Sequence, residues 1–247
     1  MTLTGWTLPQ TPSGLSSTLT PPPWHYSGDI IAIDYKADAA NVASLLPPGM
    51  EPLGDGSVTL FFADWCSASD LDPRVLADPA KGQYHEAYFV LYGSFEGKPV
   101  GRVPFIYVDS ELSLIRGLVQ GFPKKLGRIA MTRPVEIGRG GVRRQPGSTF
   151  AAHATAADRR LATVTVSLEA ESPKGPGPQP GPPLHTRIWP SLDASKPGVE
   201  EFSKVTVYGF ETGKVFKGPA TLEAISTPLK FNFKIARSSS ETEASIF

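Results

Sequence analysis

The 247-residue sequence has one cysteine, no excess of charge of either sign and no long apolar run. Because Cys66 stands alone, no disulfide can form within the chain, and we expect a reducing compartment. Lys plus Arg and Asp plus Glu both number 24, so no overall field attracts nucleic acid or an anionic membrane. No stretch approaches the roughly 18 apolar residues that span a bilayer, and residues 1–24 lack the basic and apolar regions of a secretory signal. We therefore expect a cytoplasmic protein without a nucleic-acid or membrane partner.

Nucleotide-binding and metal-binding motifs are also missing. The sequence has no phosphate-binding Gly-Lys-Ser/Thr loop, and the Gly-rich residues 138–144 lack the strand–turn–helix frame of a dinucleotide site. Residues 85–89, HEAYF, open like a zinc-protease helix, but Phe89 stands where the second histidine would be. The other three histidines are scattered and suggest no catalytic triad. We expect no metal site and no cofactor.

The pattern of side chains predicts a chain made mostly of strands. Runs rich in β-branched and aromatic residues, separated by turn residues, predict strands at 29–38, 57–65, 84–95, 98–109, 128–137, 148–157, 160–171, 204–213 and 220–228. Many strands with few helices indicate an α+β fold dominated by antiparallel strands, with a few short helices.

Two helices are expected, one at 38–49 and one at 110–121. Asp38 and Ser110 are the respective N-cap residues, and each helix ends at a Gly or Pro signal. In the second helix, three apolar residues share a face, namely Leu112, Ile115 and Val119.

The composition also divides the chain into an arm and a domain. Residues 1–23, rich in Pro, Ser and Thr, predict an extended N-terminal arm, and residues 24–247 a single domain. Within that domain, residues 172–183 are too rich in Pro and Gly to pair internally and predict a surface loop.

A pair of adjacent lysines, Lys124 and Lys125, lies inside the apolar stretch GFPKKLG. A solvated turn is one interpretation and a reactive amine is the other. A lysine with its ordinary pKa of about 10.4 is protonated at neutral pH, and an ammonium is not a nucleophile. An apolar setting and a neighbouring cation both lower that pKa. The surrounding Phe122, Pro123 and Leu126, together with the second lysine, offer both effects.

The stretch GFPKKLG resembles the signature of the acetoacetate decarboxylase family, in which an aromatic-Pro-Lys-Lys-Leu-Gly segment carries a Schiff-base lysine. That family is the standard example of a lysine activated by desolvation or by a cationic neighbour. The likeness continues in order over about residues 20 to 225, through DYKADAANVASLLPPGMEPL, YHEAYF, RRLATVTVSLE, RIWPSLDASKPGVEEFSKV and FKGPATLE. It implies a β-barrel or cone with a few short helices. Residues 228–247 do not resemble the family's last strand.

The resemblance also implies roles for individual residues. By position, Lys124 is the amine that condenses with a substrate ketone, and Lys125 is its cationic neighbour, with a side chain that points the other way in an extended segment. Glu86 is the acid or base that faces the amine, and Tyr84 beside it donates a proton or positions the substrate. Phe122 contributes to the apolar setting of the lysine.

Several positions depart from the pattern of true decarboxylases. Gly28 or Ser27 stands where the family has an arginine before its first strand, and Phe61 lies near the place of a second glutamate. Ahead of the lysines, RGLVQG displaces Arg116 by about one residue and puts Gln120 four residues before Lys124. These changes are more similar to a divergent branch of the family, with Gln and Tyr around the lysine, that performs aldol chemistry with pyruvate followed by dehydration.

These residues lead to three functional hypotheses. The first is an enzyme that forms a Schiff base with pyruvate at Lys124 and then catalyses aldol condensation and dehydration, with Gln120, Tyr84 or Arg116 holding the carboxylate of the oxo acid. The second is decarboxylation of a β-oxo acid such as acetoacetate, and the third is a barrel that binds small molecules without catalysis. A ring-closing role in biosynthesis is a further alternative. The resemblance also implies a homo-oligomer.

Overall fold

The computed structural model describes residues 2–175, 181–224 and 243–246 of the chain. Strands make up most of the regular structure in this part of the chain. They are β1 (Trp24–Lys36), β2 (Met50–Pro52), β3 (Ser57–Ser69), β4 (Gln83–Phe95), β5 (Lys98–Arg102), β6 (Ile106–Val108), β7 (Lys124–Leu126), β8 (Arg128–Met131), β9 (Thr149–Ala156), β10 (Arg159–Ser167), β11 (Ala170–Ser172), β12 (Leu184–Trp189), β13 (Val199–Lys204), β14 (Val215–Ala224) and β15 (Glu243–Ile246).

The helices are short and begin where local hydrogen bonds allow. They are α1 (Ala39–Ser44), α2 (Pro79–Gly82) and α3 (Glu111–Gln120), with a 3₁₀ turn at Pro73–Ala77. Asp38 accepts a hydrogen bond from the Asn41 amide at 2.9 Å, and Ser110 accepts one from the Ser113 amide at 3.3 Å, which confirms both N-caps. None of the helices in the described ranges is long and apolar enough to cross a membrane.

One long sheet organises the molecule. Its strands follow the order β7-β6-β4-β3-β1-β15-β14-β10-β9-β8, with β2 and β5 paired to β4 and β11 paired to β14, while β12 and β13 form a separate ribbon. The strand pairs between described residues are antiparallel except for β6 and β7, which run parallel. The prediction of a mainly antiparallel α+β fold is confirmed.

The two faces of β4 pack against different apolar clusters. Since side chains alternate along a strand, Ala87 faces the main apolar core, which also contains Phe62, Phe150 and Val164 from the neighbouring strands. On the other face, Val90 packs in a second cluster built from side chains of β4, β5–β6 and the segment before β7. Tyr84 and Glu86 belong to this second face and are buried there. The curled sheet therefore brings polar groups of β4 to the interior, opposite α3.

The structure corrects the predicted strand at 204–213. The regular ribbon ends at Lys204, and the following residues form no strand, with exposed side chains at Val207, Tyr208 and Phe210. After the Val205 amide, which donates to the Pro183 carbonyl, the apolar alternation pairs with no strand of the described residues. Residue alternation did not predict β12 and β13, although the stretch RIWPSLDASKPGVEEFSKV resembles later strands of the family. Their pairing joins two segments separated by residues 190–198.

The predicted N-terminal arm folds back on itself instead of extending. Thr4 and Thr11 form an isolated antiparallel bridge, and the Thr7 amide donates to the Ser17 hydroxyl at 2.8 Å. Gly14, with φ of 72°, supplies the left-handed backbone that the reversal needs. The predicted surface loop at 172–183 lies partly, and the divergent tail at 228–247 mostly, outside the described residues. The described end of that tail forms β15, which pairs with β1 and β14.

Candidate active site

Lys124 begins β7 directly after the end of α3. Gly121 ends the helix with φ of 92°, and the Phe122 amide donates to the Gly117 carbonyl at 2.9 Å. The chain then pairs with β6, so that Lys124 lies beside Ile106. This tight helix-to-strand turn directs the lysine side chain back across α3 and toward β4.

The Lys124 amine lies in a nearly closed setting. Its side chain is 7% exposed, and Nζ donates to Glu86 Oε2 at 2.6 Å and to Ser113 Oγ at 2.9 Å. Gly117 makes room for the lysine, because a Cβ at that position would lie 2.3 Å from Lys124 Cδ. The amine is thus held by a carboxylate from β4 and a hydroxyl from α3.

Two aromatic rings complete the surroundings of the amine. Nζ lies 5.6 Å from the centre of the Tyr84 ring and 5.8 Å from the centre of the Phe122 ring. Tyr84 and Glu86 are alternate residues of β4 and therefore share its inner face. The structure brings together Lys124, Glu86, Tyr84 and Phe122, four of the residues that the sequence singled out.

Arg116 is the second cation of the site. It is 6% exposed and its Cζ lies 5.1 Å from the Tyr26 ring centre, 5.7 Å from that of Trp24 and 5.8 Å from that of Tyr84. Its Nη2 donates a long hydrogen bond of 3.5 Å to Ser67 Oγ. Within the described ranges, no carboxylate lies at salt-bridge distance from the guanidinium. Arg116 is therefore a buried cation surrounded by aromatic rings.

Burial and charge lower the pKa of Lys124 from its usual 10.5. Burial has the largest effect because it disfavours the ammonium. The Glu86 carboxylate acts in the opposite direction through its charge and hydrogen bond, whereas the Arg116 charge lowers the pKa further. Burial also raises the pKa of Tyr84, so that its phenol stays protonated at neutral pH and can donate a hydrogen bond.

Two other residues singled out from the sequence, Lys125 and Gln120, differ in exposure. Lys125 is exposed, because alternate residues of a strand face opposite sides. The like charge that lowers the pKa of Lys124 is that of Arg116, which corrects the role given to Lys125. Gln120 is half-buried at the last position of α3.

Five contributors to the site were missed from the sequence. Ser113 and Gly117 are buried on α3, and their spacing with Arg116 and Gln120 is that of one helix face. A stripe of polar and small residues at this spacing is a signal that could have predicted them. Trp24 and Tyr26 of β1 and Ser67 of β3 contact Arg116 from two paired strands, and no local pattern predicts these contacts.

The packing around Gly28 and Phe61 explains two positions that depart from the decarboxylase pattern. A Cβ on Gly28 would lie 2.3 Å from the Asp64 carbonyl oxygen, so the present backbone admits no larger residue there. Phe61 faces the same side of the sheet as Glu86 and stacks on Tyr88, with ring centres 5.0 Å apart. An apolar aromatic wall thus lies where a second carboxylate was sought.

Comparison with known families identifies the class of protein. The family model for acetoacetate decarboxylase (ADC) matches residues 7–230. The chain therefore belongs to the acetoacetate decarboxylase family, and the resemblance noted in its sequence is confirmed. Comparison with the curated proteins gives no match.

Solved structures with the same fold cover nearly the whole chain. The enduracididine biosynthesis enzyme MppR, complexed with the condensation product of pyruvate and imidazole 4-carboxaldehyde, is 30% identical with a TM-score of 0.91, over 100% of this chain and 93% of that chain. An acetoacetate decarboxylase-like enzyme from Sphingomonas wittichii RW1 is 24% identical with a TM-score of 0.86, over 98% and 95%. Acetoacetate decarboxylase from Legionella pneumophila is 19% identical with a TM-score of 0.65, over 93% and 86%. The last two show the fold alone.

Proposed function

We propose that this chain is a lyase that forms a Schiff base with a small 2-oxo acid at Lys124. The reaction that the site favours is aldol condensation of pyruvate with an aldehyde, followed by dehydration. The single observation that carries the proposal is the Lys124 amine, buried and held at 2.6 Å from Glu86 and 2.9 Å from Ser113. Such a setting suits an amine that must lose a proton and attack a carbonyl.

The charges of the site support an anionic substrate. Lys124 and Arg116 are two cations, and Glu86 is the one carboxylate that pairs with either of them in the described residues. Burying an unpaired cation costs several kcal/mol, and an anion brought beside it offsets this cost. A guanidinium binds a carboxylate with two parallel hydrogen bonds. Arg116 would therefore hold the substrate carboxylate while the ketone meets Lys124.

The proposed steps use groups that already contact the amine. Neutral Lys124 attacks the ketone carbon of pyruvate, water leaves, and a protonated imine forms. Glu86 then removes a proton from the methyl carbon, and the electron pair of that C–H bond forms the enamine. The enamine carbon attacks the aldehyde carbon, whose oxygen takes a proton to become a hydroxyl. Loss of this hydroxyl as water, and hydrolysis of the imine, release an unsaturated 2-oxo acid and free Lys124.

Two features favour condensation over decarboxylation of a β-oxo acid. The arginine of true decarboxylases corresponds to Ser27 or Gly28, both within β1, and the backbone at Gly28 leaves no room for a side chain. Phe61 offers an aromatic surface in place of a second carboxylate. An aromatic wall is better suited to a second organic substrate than to a departing carbon dioxide. MppR has been crystallised with pyruvate and with a condensation product of pyruvate, which supports the same chemistry here.

Borohydride trapping tests the proposal directly. The protein is mixed with pyruvate, reduced, digested and analysed by mass spectrometry, with Lys125→Ala as the matched control. We expect a stable adduct on Lys124 in the wild type and in the control, and none in Lys124→Ala. Absence of an adduct with every oxo acid of a panel would leave non-catalytic binding as the function.

Two product assays on the same protein distinguish aldol condensation from decarboxylation. With pyruvate and an aldehyde, the conjugated product absorbs in the near ultraviolet, whereas decarboxylation of acetoacetate releases carbon dioxide into the headspace. We expect the first signal from this protein, and carbon dioxide alone would reverse the assignment. The homo-oligomer and the cytoplasmic location stay predictions.

A further inference from the structure

His185 is a fully buried histidine packed against Phe122, one of the aromatic residues beside the Lys124 amine. It lies on β12, its side chain is 0% exposed, and its ring centre is 4.0 Å from that of Phe122. The Phe122 ring centre is in turn 5.8 Å from Lys124 Nζ. One aromatic ring therefore contacts both the imidazole and the reactive amine.

The imidazole has unused hydrogen-bonding capacity. Neither Nδ1 nor Nε2 has a hydrogen-bond partner among the described residues. Burial and the charges of Arg102 and Lys124 lower the pKa of His185 to about 3. The ring is thus neutral and offers one donor and one acceptor. A buried polar group without a partner destabilises the fold, and a ligand that hydrogen-bonds to the imidazole would remove this cost.

Arg102 holds the strand on both sides of this histidine. Its Nη1 donates to the Leu184 carbonyl at 3.5 Å, and its Nη2 donates to Thr186 Oγ1 at 3.1 Å. Gly121 lies close on the opposite side, since a Cβ there would be 3.0 Å from His185 Cβ. The imidazole is therefore held in place between β5 and the end of α3.

We propose that His185 determines the specificity for the second substrate, by hydrogen bonding to a polar group at the end of the aldehyde remote from the reacting carbon. The inference rests on the proposed function, because Lys124 fixes the pyruvate end and Phe122 lies between the two. An aldehyde with a ring that both donates and accepts hydrogen bonds satisfies the imidazole. A purely apolar ring of the same size leaves it unpaired.

The test compares imidazole 4-carboxaldehyde with benzaldehyde. In the wild type we expect a higher kcat/KM for the imidazole aldehyde. His185→Phe should lower the preference, the ratio of the two kcat/KM values, by about 10-fold to 100-fold, since a lost buried hydrogen bond is worth about 1–3 kcal/mol. His185→Gln, which keeps a donor and an acceptor, should restore part of the preference. Trapping of pyruvate on Lys124 is measured in both variants, to check that the pyruvate end of the site stays assembled.

Two results in His185→Phe would overturn the role of His185, and both leave the ratio unchanged. One is an equal loss of kcat/KM with both aldehydes, which would indicate a structural effect. The other is no loss with either aldehyde.

A binding measurement keeps this test independent of the Schiff base. Imidazole-4-methanol and benzyl alcohol, which cannot form an imine, are titrated calorimetrically into the wild type and His185→Phe. Tighter binding of the imidazole alcohol, lost in the variant, supports the inference even where no pyruvate adduct forms. Equal binding of the two alcohols by the wild type would reject it even where the adduct does form.

Discussion

Replacing Gly117 by alanine should misplace the Lys124 amine while leaving the helix that carries the change intact. The added Cβ would lie 2.3 Å from Lys124 Cδ, 2.5 Å from Cε and 2.7 Å from Cγ, whereas ordinary contact begins at 3.4 Å. The lysine chain must therefore move by about 1 Å. Three successive atoms in the middle of the chain clash, so a rotation of the terminal amine alone does not relieve the contact.

The expected effect of Gly117→Ala is small on stability, where two contributions oppose each other, and large on the rate of adduct formation. In a helix, alanine is favoured over glycine by about 1 kcal/mol, which offsets part of an overpacking cost of about 1–3 kcal/mol. A displacement of about 1 Å from reactive geometry costs about 100-fold in rate. We therefore expect Gly117→Ala to fold with a slightly altered melting temperature and to form the pyruvate adduct about 100-fold more slowly.

The assay is the rate of borohydride-trappable adduct formation, measured beside a thermal melt. Leu118→Ala is the matched control, because it changes the next residue of α3, which is 37% exposed and faces away from the lysine. The control should retain the wild-type rate. A Gly117→Ala variant that traps pyruvate within twofold of the wild-type rate would refute the reasoning, since the lysine would then tolerate the clash without losing its position.

Three further changes test the charges of the site. Arg116→Gln removes a like charge and should raise the pKa of Lys124, so that the pH profile of adduct formation moves to higher pH and the KM for pyruvate rises; an unmoved profile would contradict this. Lys125→Ala should leave the trapping rate within twofold, because the side chain is exposed, and a larger fall would return a role to that lysine. Because the folded-state pKa of Lys124 lies below its usual 10.5, the unfolded chain holds more protons between the two values and stability rises with pH there. Lys124→Met should lack this rise. If the free energy of unfolding from urea curves changed between pH 7 and pH 10 by the same amount in the wild type and in the variant, the lysine would be unperturbed.

Local signals predicted the helix ends, and long-range contacts account for what was missed. The N-caps at Asp38 and Ser110 depend on hydrogen bonds to residues three positions away, so the sequence predicts them directly. The ribbon of β12 and β13 is a hairpin joined by residues 190–198, and residue alternation alone did not predict it. The predicted strand 204–213 keeps the alternation, but after the Val205 amide, which donates to the Pro183 carbonyl, it forms no strand in the described part of the chain.

The residues of the candidate site also divide into those that the sequence predicts and those that depend on the folded chain. The resemblance singled out Lys124 and the position of Glu86, but the burial of α3 runs against its apolar pattern. The apolar stripe of Leu112, Ile115 and Val119 is only half-buried, whereas Ser113 and Arg116 are fully buried. Burying the polar face of a helix lowers the stability of the fold unless the polar groups find partners. A helix that buries its polar side chains more deeply than its apolar ones therefore indicates a functional surface. No local signal predicts His185, because β12 reaches Phe122 only in the folded chain.

Arg116 would serve two successive steps of the proposed reaction. Before the substrate arrives, its charge disfavours the Lys124 ammonium and so increases the fraction of amine that can attack. Once a carboxylate pairs with the guanidinium, that repulsion is neutralised, and the protonated imine then forming on Nζ is disfavoured less. A fixed arginine with no carboxylate of the described residues beside it thus couples substrate binding to the charge that Lys124 has to carry. Pairing Arg116 permanently, by Ser67→Asp, should therefore raise the pKa of the lysine and weaken pyruvate binding together, and a variant that showed one effect without the other would separate the two roles.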